Sequence, residues 1–350
     1  MQKKILILLS ALVVAFVFCG AASAATVKTN HVNTVKISKV QQNEPVTGDR
    51  VVWTQYNGTT ASIYCKNIKT GEYGKVLTTT EDQYTPAISG TRVVWEQYNG
   101  TNYAIYCKNL ATGEYGKVLT TTERQNDPSI SGTRVVWEQY NGINYAVYCK
   151  NLATGEYGKV LTTTQNQYVP VISGTRVVFE QDNGTSYAIY CKNLATGEYG
   201  KVLTSTQEQY SPAISGTRIV WSQKELSGKL NIYCKNLATG EYGKVLTITE
   251  DQNEPVISGT RVVWKQNTGT AQVIYCKNLK TGEIGKVMTS TLNQFGPAIT
   301  GTRIVWTENI NPIMGSIYCK NLATGEIGRV QTSTEDQYNS AVDGSRSVPD

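Results

Sequence analysis

Gly90-Thr91-Arg92-Val93-Val94-Trp95-Glu96-Gln97 leads into Tyr98-Asn99-Gly100, then Ala104-Ile105-Tyr106-Cys107-Lys108-Asn109-Leu110, then Ala111-Thr112-Gly113-Glu114-Tyr115-Gly116-Lys117-Val118-Leu119-Thr120. The same order of residues starts at Gly48, Gly90, Gly132, Gly174, Gly216, Gly259 and Gly301, and an eighth copy begins at Gly344. The interval is 42 residues five times and 43 twice. A fixed period of this size marks a repeat architecture.

Each copy carries four short strand signals and no helical one. Apolar residues come in brief runs rich in Val, Ile, Tyr and Trp, bounded by Gly, Asn and Pro. In the second copy the expected strands are Pro86 to Ser89, Arg92 to Gln97, Ala104 to Leu110 and Gly116 to Thr121. Asn99-Gly100 is a strong hairpin signal, because both turn positions require a positive φ. Val93, Val94 and Trp95 in succession predict a sheet covered on both faces, as when sheets pack against two neighbours. Four antiparallel strands per copy, seven times over, predict an all-β, seven-bladed β-propeller of four-stranded antiparallel blades. A β-solenoid is the runner-up; it favours shorter coils and parallel pairing, which the Asn-Gly hairpins oppose.

The order Pro-x-Ile-x-Gly-x-Arg-Val-Val-Trp, then Ile-Tyr-x-x-Asn-Leu-x-Thr-Gly, then a strand ending in Leu-Thr resembles the TolB-type propeller repeat, a relative of WD repeats. The Trp-Glu-Gln and Asp-Gln-Tyr variants look like those of exported surface proteins of methanogenic archaea. The resemblance covers residues 34–344 and implies the propeller fold. It says little about function, because such propellers host many roles. The chain departs from TolB itself in having no preceding α/β domain.

The expected organisation is a signal peptide at 1–24, a short leader at 25–33 and one propeller domain at 34–350. Lys3 and Lys4 precede an apolar run from Ile5 to Phe18, and Ala22-Ser23-Ala24 is a small-residue cleavage signal. The run is too short to span a bilayer. An extracellular or cell-surface location with no membrane span in the mature chain is therefore expected. Val35 to Pro45 aligns with Val76 to Pro86, so Thr34 to Ser38 reads as a surplus strand, and Asn339 to Gly344 repeats the first strand at the other end. Overlapping termini should lock one blade and remove an open edge; either end could supply the locking strand.

Lys and Arg total 33 against 27 acids, a net charge of +6, and removing Lys3 and Lys4 leaves it milder still. The basic residues are spread along the chain by the repeat, so no nucleic-acid partner is expected.

Cys65, Cys107, Cys149, Cys191, Cys234, Cys276 and Cys319 occupy one position of the third strand. Equivalent positions in adjacent blades lie roughly 12 Å apart by strand spacing. A disulfide spans at most about 7 Å between Cα atoms, so free, buried thiols are expected, and neither metal nor cofactor. The aromatics Trp53, Trp95, Trp137, Phe179, Trp221, Trp264 and Trp306 read as core. Arg50, Arg92, Arg134, Arg176, Arg218, Arg261 and Arg303 read as structural ion pairs or exposed charge. The glutamine kept ahead of each first strand (Gln83, Gln125 and their counterparts) reads as a side chain bonded to its own loop backbone, or else as a ring of amides at a channel mouth.

His31, the one histidine in the chain, lies outside the repeats, which removes His-based catalytic sites and histidine metal clusters. Adjacent acids such as Glu81-Asp82 point apart, unlike a glycosidase pair. No enzymatic activity is expected. The turns of one face are uniform, while the loops of the other diverge, most of all in copies five to seven. The candidate partner-binding residues are Lys224, Glu225, Leu226, Gln266, Asn267, Asn309, Ile310, Ile313 and Met314. Asn57, Asn99 and Asn183 stand in glycosylation sequons on the same face. The expected role is an exported, non-catalytic binding or adhesion module for a surface protein or polysaccharide. A self-associating envelope component is the alternative, and a carbohydrate-active enzyme comes behind it.

Overall fold

The structure is a computed structural model that describes residues 48–311 and 314–343. The expected signal peptide, the leader, the strand Thr34 to Ser38, His31, Ile313 and Gly344 lie outside the described residues. The described chain is all-β and forms 28 strands in seven antiparallel sheets of four. It is a seven-bladed β-propeller.

Blade one contains β1 (Arg50–Tyr56), β2 (Ala61–Asn67) and β3 (Tyr73–Lys75). Blade two runs β4 (Asp82–Ser89), β5 (Arg92–Tyr98), β6 (Tyr103–Asn109) and β7 (Tyr115–Lys117) in simple chain order, and the next five repeat it. The strands differ from expectation at both sheet edges. The innermost strand begins four residues before Pro86, because a bulge between Tyr84 and Ala87 lets it pass the proline without losing the ladder. The outermost strand is only three residues long. Beyond Lys117, Val118 donates one more bond to the carbonyl of Ile105 at 2.7 Å and the ladder stops.

The core lies between blades. Trp95 packs with Val93 and Ile88 of its own blade and with Val52, Ile63 and Val76 of blade one. All seven second-strand aromatics have no exposed surface, which leaves none of them free to stack on a sugar. Burying each removes roughly 150–250 Å² from water, on the order of 4–6 kcal/mol of transfer free energy.

Two repeated polar side chains tie blades together. Gln83 is fully buried, and its Oε1 accepts from the Ile63 N–H of the preceding blade at 2.9 Å. Gln125 does the same with Ile105 at 3.0 Å. This bond goes to the neighbouring blade, while Gln167 and Gln209 also donate through Nε2 to the Leu161 and Leu203 carbonyls of their own connecting segments at 3.4 and 3.5 Å; burial removes these amides from any channel mouth. Lys108 Nζ donates to the Val76 carbonyl across the blade boundary at 2.6 Å, and Lys150 repeats this with Val118 at 2.6 Å. Among the repeated arginines, Arg303 pairs with Asp49 at 3.0 Å, joining blade seven to blade one.

The seven cysteines are free and half-buried, packed at the edges of these interblade clusters. Burial pushes the Cys65 thiol up to about 12 and the Cys107 thiol up to about 11, with the nearby Arg50 and Arg92 opposing. The thiols are thus protonated at neutral pH and poor nucleophiles.

The C-terminal strand closes the ring. β28 (Asp336–Val342) takes the innermost place in blade one, pairing Val342 with Val51 and Gln337 with Gln55. Asp343 follows, where the other blades place Ser or Thr, and its Oδ1 accepts from the Gly90 N–H at 2.5 Å. Ser89 makes the equivalent bond to Gly132 at 3.0 Å.

Candidate functional site on the loop face

Each blade ends its second strand and begins its third on one face, the loop face, which also carries the connection to the next blade. The opposite face holds the tight turns at Gly90-Thr91 and Ala111 to Glu114.

The expected partner-binding residues do not converge. Lys224 is exposed and paired with Glu208 at 2.9 Å. Glu225 is drawn toward the rim, accepting from Tyr233 Oη at 3.0 Å and facing Lys244 at 3.1 Å. Leu226 is 94% exposed at the loop tip. Gln266 is buried and accepts from Trp264 Nε1 at 3.3 Å, so it belongs to the core and not to the surface. Asn267 is exposed and caps the Gly269 N–H, while Asn309, Ile310 and Met314 are half-buried at the end of a lengthened hairpin. Of the sequon residues, Asn57 and Asn99 are exposed and fold their own turns, Asn57 Oδ1 accepting from Thr60 N–H at 2.9 Å. Asn183 is half-buried.

What the loop face does bring together is tyrosine. Tyr140 and Tyr145 lie 4.9 Å apart, Tyr145 and Tyr168 5.4 Å, Tyr168 and Tyr187 6.3 Å, and Tyr187 and Tyr210 5.5 Å between ring centroids. These five rings form one unbroken arc over blades three to five, starting at the end of a second strand with Tyr140 and then alternating between third strands and innermost strands. A shorter group in blade two joins Tyr98 to Tyr103 at 4.9 Å and Tyr103 to Tyr84 at 6.3 Å. Arg124 covers Tyr103, its guanidinium carbon 5.1 Å from the ring centroid. In blades six and seven the corresponding places hold Asn253, Gln272, Phe295 and Gly315. The sequence signal was available: a tyrosine opens the third strand at 103, 145 and 187, and another follows the fixed glutamine at 84, 168 and 210.

Carboxylates underlie this arc. Glu96, Glu138 and Glu180 are buried in blades two to four, and each carboxylate accepts from a backbone N–H of the next blade: Asp127 at 2.7 Å, Val169 at 2.6 Å and Ser211 at 2.6 Å. Those three donor residues have φ of 52°, 49° and 50°, a region that side-chain-bearing residues seldom adopt. Each carboxylate satisfies the N–H at this bend, a conformation that Thr85 and Glu254 adopt as well. Burial raises the Tyr168 hydroxyl above its ordinary value, helped by Tyr187, Glu138 and Asp182.

The premise that the repeat disperses positive charge does not hold in space. Every blade places cations at the same points of the turn face and rim, as Arg92, Lys108 and Lys117 do in blade two against one carboxylate, Glu114. On the loop face, Arg124, Lys224, Lys229 and Lys265 are the only cations among the described residues, against paired acids in loop after loop, such as Glu81-Asp82, Glu250-Asp251 and Glu335-Asp336. Among the described residues no group of three or more His, Cys, Asp or Glu side chains is placed to hold a metal ion.

No protein-family model matches the chain, and no curated protein matches its sequence. Solved structures do match. A prolyl endopeptidase aligns at a TM-score of 0.66 and 12% identity, over 81% of this chain and 48% of its own. TolB from Acinetobacter baumannii aligns at 0.53 and 13%, over 84% and 82%. The β-propeller domain of the Trilobed protease from Pyrococcus furiosus aligns at 0.64 and 13%, over 82% and 93%. That domain is described as having an open velcro topology, whereas β28 closes this ring with a strand from the far end of the chain.

The chain is thus a TolB-like β-propeller in fold. The expected non-catalytic binding or adhesion role, and with it the expectation of no enzyme, is overturned by the same comparisons. Acylaminoacyl peptidase, puromycin hydrolase and oligogalacturonate lyase share this propeller with the prolyl endopeptidase, so its structural company is enzymatic and mainly peptidase. At 12–14% identity the likeness defines the fold. The chain spans about half the length of the peptidases it matches.

Proposed function

We propose that this propeller serves a hydrolase-type function of the peptidase class, as the part that receives and orients a peptide, with bond-cleaving groups from outside the described residues. One observation carries the reading: over about four-fifths of its length the chain shares its fold with several peptidases. The loop face supports it, since aromatic and acidic side chains gather there on a rigid scaffold, where loops usually carry function. Lys3, Lys4, the apolar run to Phe18 and Ala22-Ser23-Ala24 support export, so the peptide substrate would be met outside the cytoplasm.

The test is to isolate the full chain from the cells that make it and incubate it with a mixed peptide library, read by mass spectrometry. Cleavage that disappears when the chain is depleted is the expected result. A library that survives intact with and without the chain refutes the reading.

A further inference from the structure

The tyrosine arc is not demanded by the fold. Blades six and seven keep the same strand pairing with Asn253, Gln272, Phe295 and Gly315 in its place. The rings that form it are half-buried, so each keeps part of its surface in solvent. Its surroundings are anionic. Asp182 stands at the loop end of its strand, Glu138 and Glu180 lie beneath, and Glu208, itself bridged to Lys224, borders Tyr210. Among the described residues, no lysine or arginine lies over the ring of Tyr145, Tyr168, Tyr187 or Tyr210, whereas the neighbouring group has Arg124 over Tyr103.

Aromatic faces in a negative field attract cations, most strongly a guanidinium, which can lie flat on a ring while its N–H groups reach carboxylates. Arg124 already shows this geometry on the same face, with Nε donating to Asn126 Oδ1 at 3.1 Å while its carbon sits over Tyr103. The arc alternates between adjacent blades, so it runs along the ring and offers a succession of faces to an extended chain. A neutral glycan would stack on the rings and donate hydroxyls to the acids, but would gain nothing from their net charge. An acidic partner would be repelled by them.

We propose that the arc from Tyr140 to Tyr210 binds an arginine- or lysine-bearing stretch of an extended peptide, the cations stacking on Tyr145, Tyr168 and Tyr187 beside Asp182. This rests on the peptidase reading and names its substrate class: peptides with basic side chains.

Fluorescence anisotropy on the full chain tests it, using a labelled peptide of alternating arginine and serine, its glutamate-for-arginine and glutamine-for-arginine counterparts, and a neutral oligosaccharide as competitor. The arginine peptide should bind, should weaken as salt rises, and should resist the oligosaccharide. The double variant Tyr168→Leu/Tyr187→Leu should lose affinity about tenfold, while Tyr168→Phe/Tyr187→Phe keeps it, because the ring face and not the hydroxyl attracts the cation. Should the leucine variant fold poorly by circular dichroism, Asp182→Asn carries the test, with a loss of roughly threefold. Equal binding of the three peptides, full displacement by the oligosaccharide, or unchanged affinity in the folded leucine variant or in Asp182→Asn overturns the proposal. Arginine-peptide binding without any hydrolysis counts against the peptidase reading alone. Hydrolysis indifferent to peptide charge counts against this inference alone.

Discussion

At the scale of single residues, the most informative positions are those just before the innermost-strand prolines. Thr85, Asp127, Val169, Ser211 and Glu254 all have φ between 45° and 52°, and in blade seven the same place is Gly296, also at 52°. A β-branched side chain in this region is strained by about 1–3 kcal/mol. Glycine takes the conformation without that strain but loses more freedom on folding, by roughly 0.5–1 kcal/mol. The balance favours glycine where no side-chain contact is lost. Val169→Gly should therefore raise unfolding stability by about 1 kcal/mol, read by chemical denaturation against the parent chain. Stability lowered by the exchange would show that the Val169 side chain holds the bulge instead of straining it. The repeat announced the proline but not the bulge. In sequence, Tyr84-Thr85-Pro86 reads as the approach to a strand, because a proline in a ladder normally marks its end. Only the paired strand shows that the ladder resumes on both sides of it.

At the scale of elements, the seven blades were legible and the closure was half legible. Apolar runs, Asn-Gly hairpins and the fixed aromatic predict four strands per copy, and those strands form. The closing strand was also decidable from spacing. From the fixed glutamine to the turn glycine there are seven steps in Gln83 to Gly90 and in Gln337 to Gly344, but six in Gln42 to Gly48. Side chains alternate faces along a strand, so a one-residue deficit would turn an entire inner face outward. β28 keeps the full count and holds the place, adding Asp343 as a latch onto Gly90. Inserting one isoleucine between Val46 and Thr47 restores the count at the other end, contiguous with β1 as in every other blade. A chain with that insertion and ending at Glu335 should unfold in one cooperative transition. The same truncation without the insertion should unfold in a broad transition at lower denaturant, because it leaves a sheet edge open. Equal transitions in the two truncated chains would contradict the account.

At the scale of the whole molecule, the repeat sorts charge by face. A net charge of +6 over 350 residues looks mild, and reading along the sequence shows cations and acids intermixed. Folding places Arg92, Lys108 and Lys117, with their counterparts, toward the turn face and rim, and Glu81, Asp82, Glu208 and Asp251, with theirs, toward the loop face. Periodicity was easy to see, but its electrostatic consequence required knowing that equivalent positions share a height along the axis. A seven-residue strand such as β5 separates the two faces by roughly 20 Å. The Debye length at 0.1 M salt is about 10 Å, so each face then acts on its own surroundings and the net charge says little about adsorption. The protein should therefore be retained at about 0.1 M salt by both a cation-exchange and an anion-exchange matrix. Converting Glu81, Asp82, Asp182 and Glu208 to amides should weaken retention on the anion exchanger without weakening it on the cation exchanger. Retention of the parent chain on the cation exchanger alone would mean that its surface behaves as uniformly basic, and the anionic field invoked for the tyrosine arc would fall with it.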